Sequence, residues 1–213
     1  MGRLMVVGVN GRQGSGKTTL TRALEFLLDP KPVPEEGRAI ALSIDDYYLP
    51  KADRDRAEFR ARGYNPEGIS NRGPAGTHDL ERLKTEWDAL EKSHEQSITR
   101  LTLFDKAADD RLKDQRVIHG RVGILLVEGW FLGAAAPADP ARLPAGLKRS
   151  VGEALVDWQA LFSRIDRILA FKPAPPETIL RQREEQEMTL ARRTGGAGMT
   201  PEQIRRFLHY MNI

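Results

Sequence analysis

Eight residues, Gly11-Arg12-Gln13-Gly14-Ser15-Gly16-Lys17-Thr18, carry the spacing of a phosphate cradle: glycine, four residues, glycine, lysine, threonine. Glycines let successive backbone N–H groups curl around an anion. A helix starting at Lys17 would add the partial positive charge of its N-terminus. In such a loop Gly11, Gln13, Gly14, Ser15, Gly16 and Thr19 surround a nucleotide triphosphate. Lys17 reaches the β- and γ-phosphates, and the Thr18 hydroxyl holds magnesium. ATP and Mg2+ are the ligands this pattern predicts.

Phosphoryl transfer also needs a metal-associated acid, cations for the developing charge, and a carboxylate to orient the acceptor hydroxyl. Glu128 follows the apolar run Val122–Val127 and precedes Gly129, a place from which it can reach magnesium directly or through water. Asp45 and Asp46 close a second apolar run, and either fits a group that accepts a hydroxyl proton. Arg181, Arg183, Arg192 and Arg193 lie in a charged segment that fits either a lid closing on phosphate or a solvated face laced with Glu184, Glu185 and Glu187. Two polar stretches without regular patterning, Asn71 to Asp79 and Leu103 to Arg111, offer substrate contacts. His94, His119 and His209 have no metal-ligand spacing.

The elements that must position these groups alternate between strand and helix. Leu4–Val9, Arg38–Ile44, Val122–Val127 and Arg167–Phe171 read as strands, and Ser97–Phe104 as a short one. The helix behind the Gly-rich loop places Leu20, Ala23, Leu24, Leu27 and Leu28 on one face. Ala52–Arg62 reads as helical, and Asp29–Gly37, Gly63–Gly76, Asp105–Gln115 and Gly133–Gly146 as loops. Thr77 is the expected N-cap of a helix bearing Leu80, Leu83, Trp87 and Leu90. Glu153–Ile165 is amphipathic, and Glu177–Arg193 is a charged helix with little apolar face, the possible lid. After a Gly-rich turn over Thr194–Met199, Thr200-Pro201-Glu202-Gln203 has the form of a capping box. The continuous apolar run at Val122–Val127 is the signature of a central parallel strand with both faces buried. We therefore expect an α/β fold: one three-layer domain over residues 1–213, with a mainly parallel sheet flanked by helices. Ligands bind such sheets beyond the carboxyl ends of the strands. The Gly-rich loop, Asp45-Asp46 and Glu128 all fall there.

Composition narrows the classes. With 33 basic and 30 acidic residues, a net charge of +3 gives little drive toward nucleic acid, even with Arg192, Arg193, Arg205 and Arg206 close together. There is no cysteine, so disulfides and thiolate chemistry are excluded. The longest apolar run, around Ile124–Val127, falls far short of a membrane span. With the first strand so close to Met1, a cytoplasmic protein is expected.

The combination resembles one family. Ser43-Ile44-Asp45-Asp46-Tyr47-Tyr48-Leu49, the loop from Arg72 to Leu80, Phe104-Asp105-Lys106, and Val127-Glu128-Gly129-Trp130-Phe131-Leu132-Gly133 are together similar to the D-glycerate 3-kinases, P-loop kinases related to uridine kinase, phosphoribulokinase and pantothenate kinase. The likeness runs from the first strand to about Met211, through Gly198-Met199-Thr200. It implies transfer of the γ-phosphate of ATP to a small acceptor alcohol, the primary hydroxyl of D-glycerate. Kinases for a nucleoside or pantothenate, or a nucleotide-gated binding protein, are the alternatives. It implies that the Glu128 strand lies beside that of the Gly-rich loop, that Asp45 rather than Asp46 is the base, and that Arg181 belongs to the lid. Tyr47, Arg72, His78, Asp105 and Lys106 would contact the acceptor, with Arg72 or Lys106 on its carboxylate. This chain departs from the family pattern in having Thr102-Leu103 before Phe104 where a proline is expected. It also has a shorter stretch after Lys106, and it ends at Ile213 where the family pattern implies a further segment.

Overall fold

In the computed structural model, residues 3–29, 37–64, 72–172, 175–195 and 199–211 are described. In chain order these form β1 (Met5–Asn10), α1 (Lys17–Leu28), β2 (Arg38–Ser43), α2 (Lys51–Arg54), α3 (Ala57–Ala61), α4 (Leu80–Glu91), β3 (Ile98–Leu101), β4 (Phe104–Asp105), β5 (Asp110–Arg111), β6 (Arg116–His119), β7 (Val122–Gly129), α5 (Leu147–Phe162), β8 (Arg167–Ala170), α6 (Pro176–Thr194) and α7 (Pro201–Met211). Most of the Asp29–Gly37 loop, residues 65–71 with Asn71, the turn at 196–198 with Gly198, the side chains of Arg193 and His209, and Asn212-Ile213 lie outside the described residues.

The main sheet has four strands in the order β2-β7-β1-β8, all parallel. The Val122–Val127 run is central because it buries both faces, as its continuous apolar pattern demands. The resemblance's implication about neighbours holds: β7 lies directly beside β1. The register puts Glu128 opposite Val9 on one side and Ser43 on the other. The carboxyl ends of three adjacent strands therefore deliver Gly11, Glu128 and Asp45 to one edge of the sheet.

The core lies where α4 and α5 meet this sheet. Leu83, Trp87 and Leu90 from α4, Trp158 and Leu161 from α5, and Leu125 and Val127 from β7 are all buried in it. Each such large side chain contributes about 1.5–3 kcal/mol relative to exposure.

Several expectations are corrected. The Leu-bearing face of α1 is not a core face along its length: Ala23 and Leu28 are exposed and Leu27 is 70% exposed, while Lys17 and Thr21 are the buried positions. Further along α1, the Glu25 side chain accepts from the Ala41 N–H of β2 at 2.8 Å. Asp79, not Thr77, caps α4, its side chain accepting from the Arg82 N–H at 3.0 Å. The buried Thr77 hydroxyl instead donates to the Pro74 carbonyl at 2.8 Å. Ala52–Arg62 divides into two short helices. Asp105–Gln115 is no plain loop, since β4 and β5 form a small antiparallel pair within it. The short strand expected at Ser97–Phe104 pairs antiparallel with β6, outside the main sheet. The capping box at α7 is present in both directions: Gln203 N–H donates to Thr200 Oγ1 at 3.3 Å and Thr200 N–H to Gln203 Oε1 at 2.8 Å.

Candidate active site

The Gly-rich loop connects β1 to α1 through two glycines in left-handed conformation, Gly14 at φ 78° and Gly16 at φ 87°, where other residues would be strained. Gly16 is the N-cap of α1, so Lys17 and Thr18 open its first turn. Lys17 is buried and its Nζ lies 3.8 Å from Glu128 Oε2. The Thr18 hydroxyl donates to Glu128 Oε1 at 2.7 Å. The Ser15 hydroxyl oxygen and Glu128 Oε2 are buried with no hydrogen-bond partner. Buried polar atoms of this kind are costly unless a ligand satisfies them. An anion in the loop would satisfy the first, and a divalent cation beside Thr18 the second. The next residue, Gly129, is required by packing: a Cβ there would fall 2.5 Å from the Ile44 side chain.

Thr19 is exposed on the same turn of α1. Gln13 lines a cleft of about 420 Å³ with Asn10, Arg12, Trp130, Phe171 and Gln182, between the loop and α6. A second hollow of about 170 Å³ reaches Thr18, Arg22, Ser43, Asp46 and Glu128.

Asp45 and Asp46 sit in a single turn of 3-10 helix immediately after β2, with the Asp45 N–H donating to Ser43 Oγ at 3.3 Å. Their environments differ. Asp45 Oδ1 accepts from the Tyr48 hydroxyl at 3.0 Å and Oδ2 from Lys106 Nζ at 2.7 Å. Burial alone would raise its pKa, but the Lys106 charge and hydrogen bond, with Lys17 behind them, hold this carboxyl well below the usual range. Asp46 Oδ1 accepts a backbone N–H, that of Phe104, at 3.2 Å. Burial pushes its pKa up to about 6, against the Phe104 bond and with the charges of Asp45 and Glu128 adding to the rise.

Of the residues expected at the acceptor, the structure brings Lys106 and Arg72 together with Asp45. The Lys106 side chain remains 61% exposed. Arg72 stands over the rings of Tyr48 and Phe104, 5.9 and 5.3 Å from guanidinium to centroid, and pairs with Asp109 at 2.9 Å. His78 is packed rather than presented. Its ring lies 4.4 Å from that of Tyr48 and edge-on to Phe131 and Trp158. Burial lowers its pKa to about 4, so it is neutral near pH 7.

Three assignments are corrected. The Tyr47 hydroxyl donates to the buried Glu86 at 2.6 Å, on the core side of the turn, and it is Tyr48 that faces Asp45. Asp105 Oδ1 accepts from the N–H groups of Ala107 and Ala108, which commits it to shaping the turn that carries Lys106. Arg181 points to solvent, while the neighbouring Gln182 and Arg183 meet the loop. A Cβ on Gly14 would lie 3.4 Å from the Gln182 Cβ and 3.9 Å from the Arg183 backbone nitrogen. Arg183 is largely buried, paired to Glu187, and feels the charges of Arg72 and Asp45 across the site.

Sequence reasoning missed Arg54 and Asp109. Arg54 is fully buried and donates to the carbonyls of Leu49 and Asp109. Asp109 pairs with both Arg54 and Arg72 and adopts φ 57°, unusual for a residue with a side chain. Neither belongs to a recognisable motif. The signal would have been an acidic residue placed like a turn glycine.

No protein-family model matches the chain. Relatives are nonetheless found over nearly its full length. "Uncharacterized kinase mug58" of Schizosaccharomyces pombe is 28% identical over 99% of this chain and 79% of its own. "D-glycerate 3-kinase, chloroplastic" of Arabidopsis thaliana is 28% identical over 96% of this chain, which spans 45% of that protein's length. The solved D-glycerate 3-kinase from Cryptococcus neoformans superposes with a TM-score of 0.76 at 28% identity, covering 99% of this chain and 78% of that one. The chain is a homologue of the D-glycerate 3-kinases. Together with the fold, these relatives make it a glycerate kinase-like, ATP-dependent phosphotransferase. In this glycerate kinase homologue the Gly-rich loop, the Thr18–Glu128 pair and Asp45 lie on one rim of the sheet. Among the described residues no helix is long and apolar enough to cross a membrane.

Proposed function

We propose that the chain transfers the γ-phosphate of ATP to the primary hydroxyl of D-glycerate in the cytoplasm. The observation that carries this reading is the Asp45–Lys106 ion pair at the rim, 2.7 Å across, a carboxylate and a cation side by side. A small hydroxy acid needs both: an acceptor for its hydroxyl proton and a cation for its carboxylate. ATP takes the Gly-rich loop (Gly11, Gln13, Gly14, Ser15, Gly16, Lys17, Thr18 and Thr19), with its nucleoside in the cleft lined by Phe171 and Gln182. Thr18 and Glu128 would hold magnesium, which would neutralise charge on the phosphates.

Asp45 orients the acceptor hydroxyl in line with the γ-phosphorus. Its low pKa is compatible with this task, because in a loose transition state positioning counts for more than proton affinity. Holding the two reactants in register supplies about 7–11 kcal/mol of the barrier. Lys17 and Arg183 take up charge on the transferring group. Lys106 and Arg72 receive the acceptor carboxylate, Arg72 through its planar fork.

The test is ADP release with D-glycerate, L-glycerate, uridine and pantothenate in parallel. D-glycerate should give the highest kcat/KM. Faster turnover of uridine or pantothenate replaces the acceptor, and slow hydrolysis indifferent to all four overturns the kinase reading.

A further inference from the structure

The charged helix α6 holds one acid that does not behave as a surface residue. Glu187 is 6% exposed, whereas its neighbour Glu185 is open to solvent. Its Oε1 pairs with the Arg183 guanidinium one turn earlier. Its Oε2 accepts the Met199 N–H at 3.1 Å, from the segment that leads into α7. Burying an ion pair usually returns little stability, because desolvation offsets the attraction. Such a pair is better explained by the geometry that it enforces. Here that geometry concerns the phosphate loop, since the backbone at Gln182 and Arg183 lies within 4 Å of where a Cβ on Gly14 would stand.

We propose that Glu187 is a positioning residue that aims the Arg183 guanidinium at the terminal phosphate of the bound nucleotide. Its two oxygens divide the work. One holds the guanidinium, which cannot then swing out along α6. The other is tied to Met199, so the pose of the arginine depends on how α7 is seated against α6. Arg181, with no such carboxylate partner among the described residues, stays exposed. This inference rests on the nucleotide reading proposed above and adds to it how the lid arginine is held.

The experiment is calorimetric binding of ATP and of ADP to the full chain and to Arg183→Ala, Glu187→Gln and the double variant. A guanidinium on the terminal phosphate favours ATP over ADP, and losing one charge-assisted hydrogen bond costs about tenfold in affinity. We expect ATP binding to weaken about tenfold in Arg183→Ala, with ADP binding unchanged. Glu187→Gln, which keeps its size and its Met199 acceptor, should reproduce most of that loss, and the double variant should be no worse than Arg183→Ala. ADP affinity reports that each variant is folded. Should Glu187→Gln not fold, Glu187→Asp, which withdraws the charge by one methylene, carries the same expectation. A folded Glu187 variant whose ATP-to-ADP preference stays within twofold of wild type overturns the proposal, as does an unchanged preference in Arg183→Ala. A wild-type chain that binds no ATP overturns the nucleotide reading, and this proposal with it.

Discussion

Lys106 Nζ lies 2.7 Å from Asp45 Oδ2, so the carboxylate that follows β2 is paired with a cation from its own chain. The pair joins two segments 61 residues apart, the turn after β2 and the turn shaped by Asp105. An acceptor with its own carboxylate can compete for that cation and leave Asp45 for the hydroxyl.

The two members of the pair should therefore fail differently. Asp45→Asn should lower kcat by about 10²–10⁴ with ATP affinity nearly intact. Lys106→Met should chiefly raise the KM for the acid acceptor. Steady-state kinetics with D-glycerate separate the two, and equal losses in kcat for both variants would speak against separate roles.

Tyr47 and Tyr48 offer a matched comparison within one dipeptide. Tyr47→Phe removes a donor from buried Glu86 and should cost about 1–3 kcal/mol of stability with kcat preserved. Tyr48→Phe removes the hydroxyl on Asp45 and should lower kcat with a smaller change in stability. Denaturant melts and initial rates on both variants check this.

Asp46 sets a pH dependence of defined sign. Its pKa is raised from 3.8 to about 6 by burial, so the folded chain binds its proton more tightly than the unfolded chain does. Stability from this group is greatest below pH 4 and is lost as pH rises toward 6, after which the loss is constant. Asp46→Asn should gain stability over wild type across that window and hold the gain at pH 7. Melting temperatures of both proteins between pH 4 and pH 8 measure it, and parallel curves would contradict the raised pKa.

Magnesium dependence tests the Thr18–Glu128 pair. Thr18→Val and Glu128→Gln should each raise the magnesium concentration needed for half-maximal turnover, because each removes an oxygen suited to the cation or its charge. A titration of rate against magnesium at fixed ATP gives the shift, and unchanged midpoints would remove both residues from the metal.

How much of this was legible in the residues depends on the range over which each signal acts. The Gly-rich loop, the buried strand ending at Glu128 and the capping box at Thr200 are local patterns, and the structure reproduces their elements. What stayed hidden was orientation. Nothing in Tyr47-Tyr48 tells which ring turns inward, since that is decided by Glu86, distant in the chain. The charged helix likewise gave no sign that Arg183 and Glu187 form its inner face, because the usual cue is apolar periodicity and here an ion pair replaces it. The exposed stretch of α1, with Phe26 83% and Leu27 70% exposed, shows the converse: amphipathic spacing that no neighbour among the described residues buries.

Gly11, Glu128 and Asp45 follow or end β1, β7 and β2, adjacent strands with β7 in the middle, whereas Lys106, Asp109 and Arg111 belong to an insert between β3 and β6 that forms no part of that sheet. On the proposed reading, Lys106 is an acceptor contact carried outside the sheet, while Asp45 stays at its rim. A new alcohol could be accommodated by rewriting a dozen or so residues of the insert, leaving the machinery that handles the nucleotide untouched.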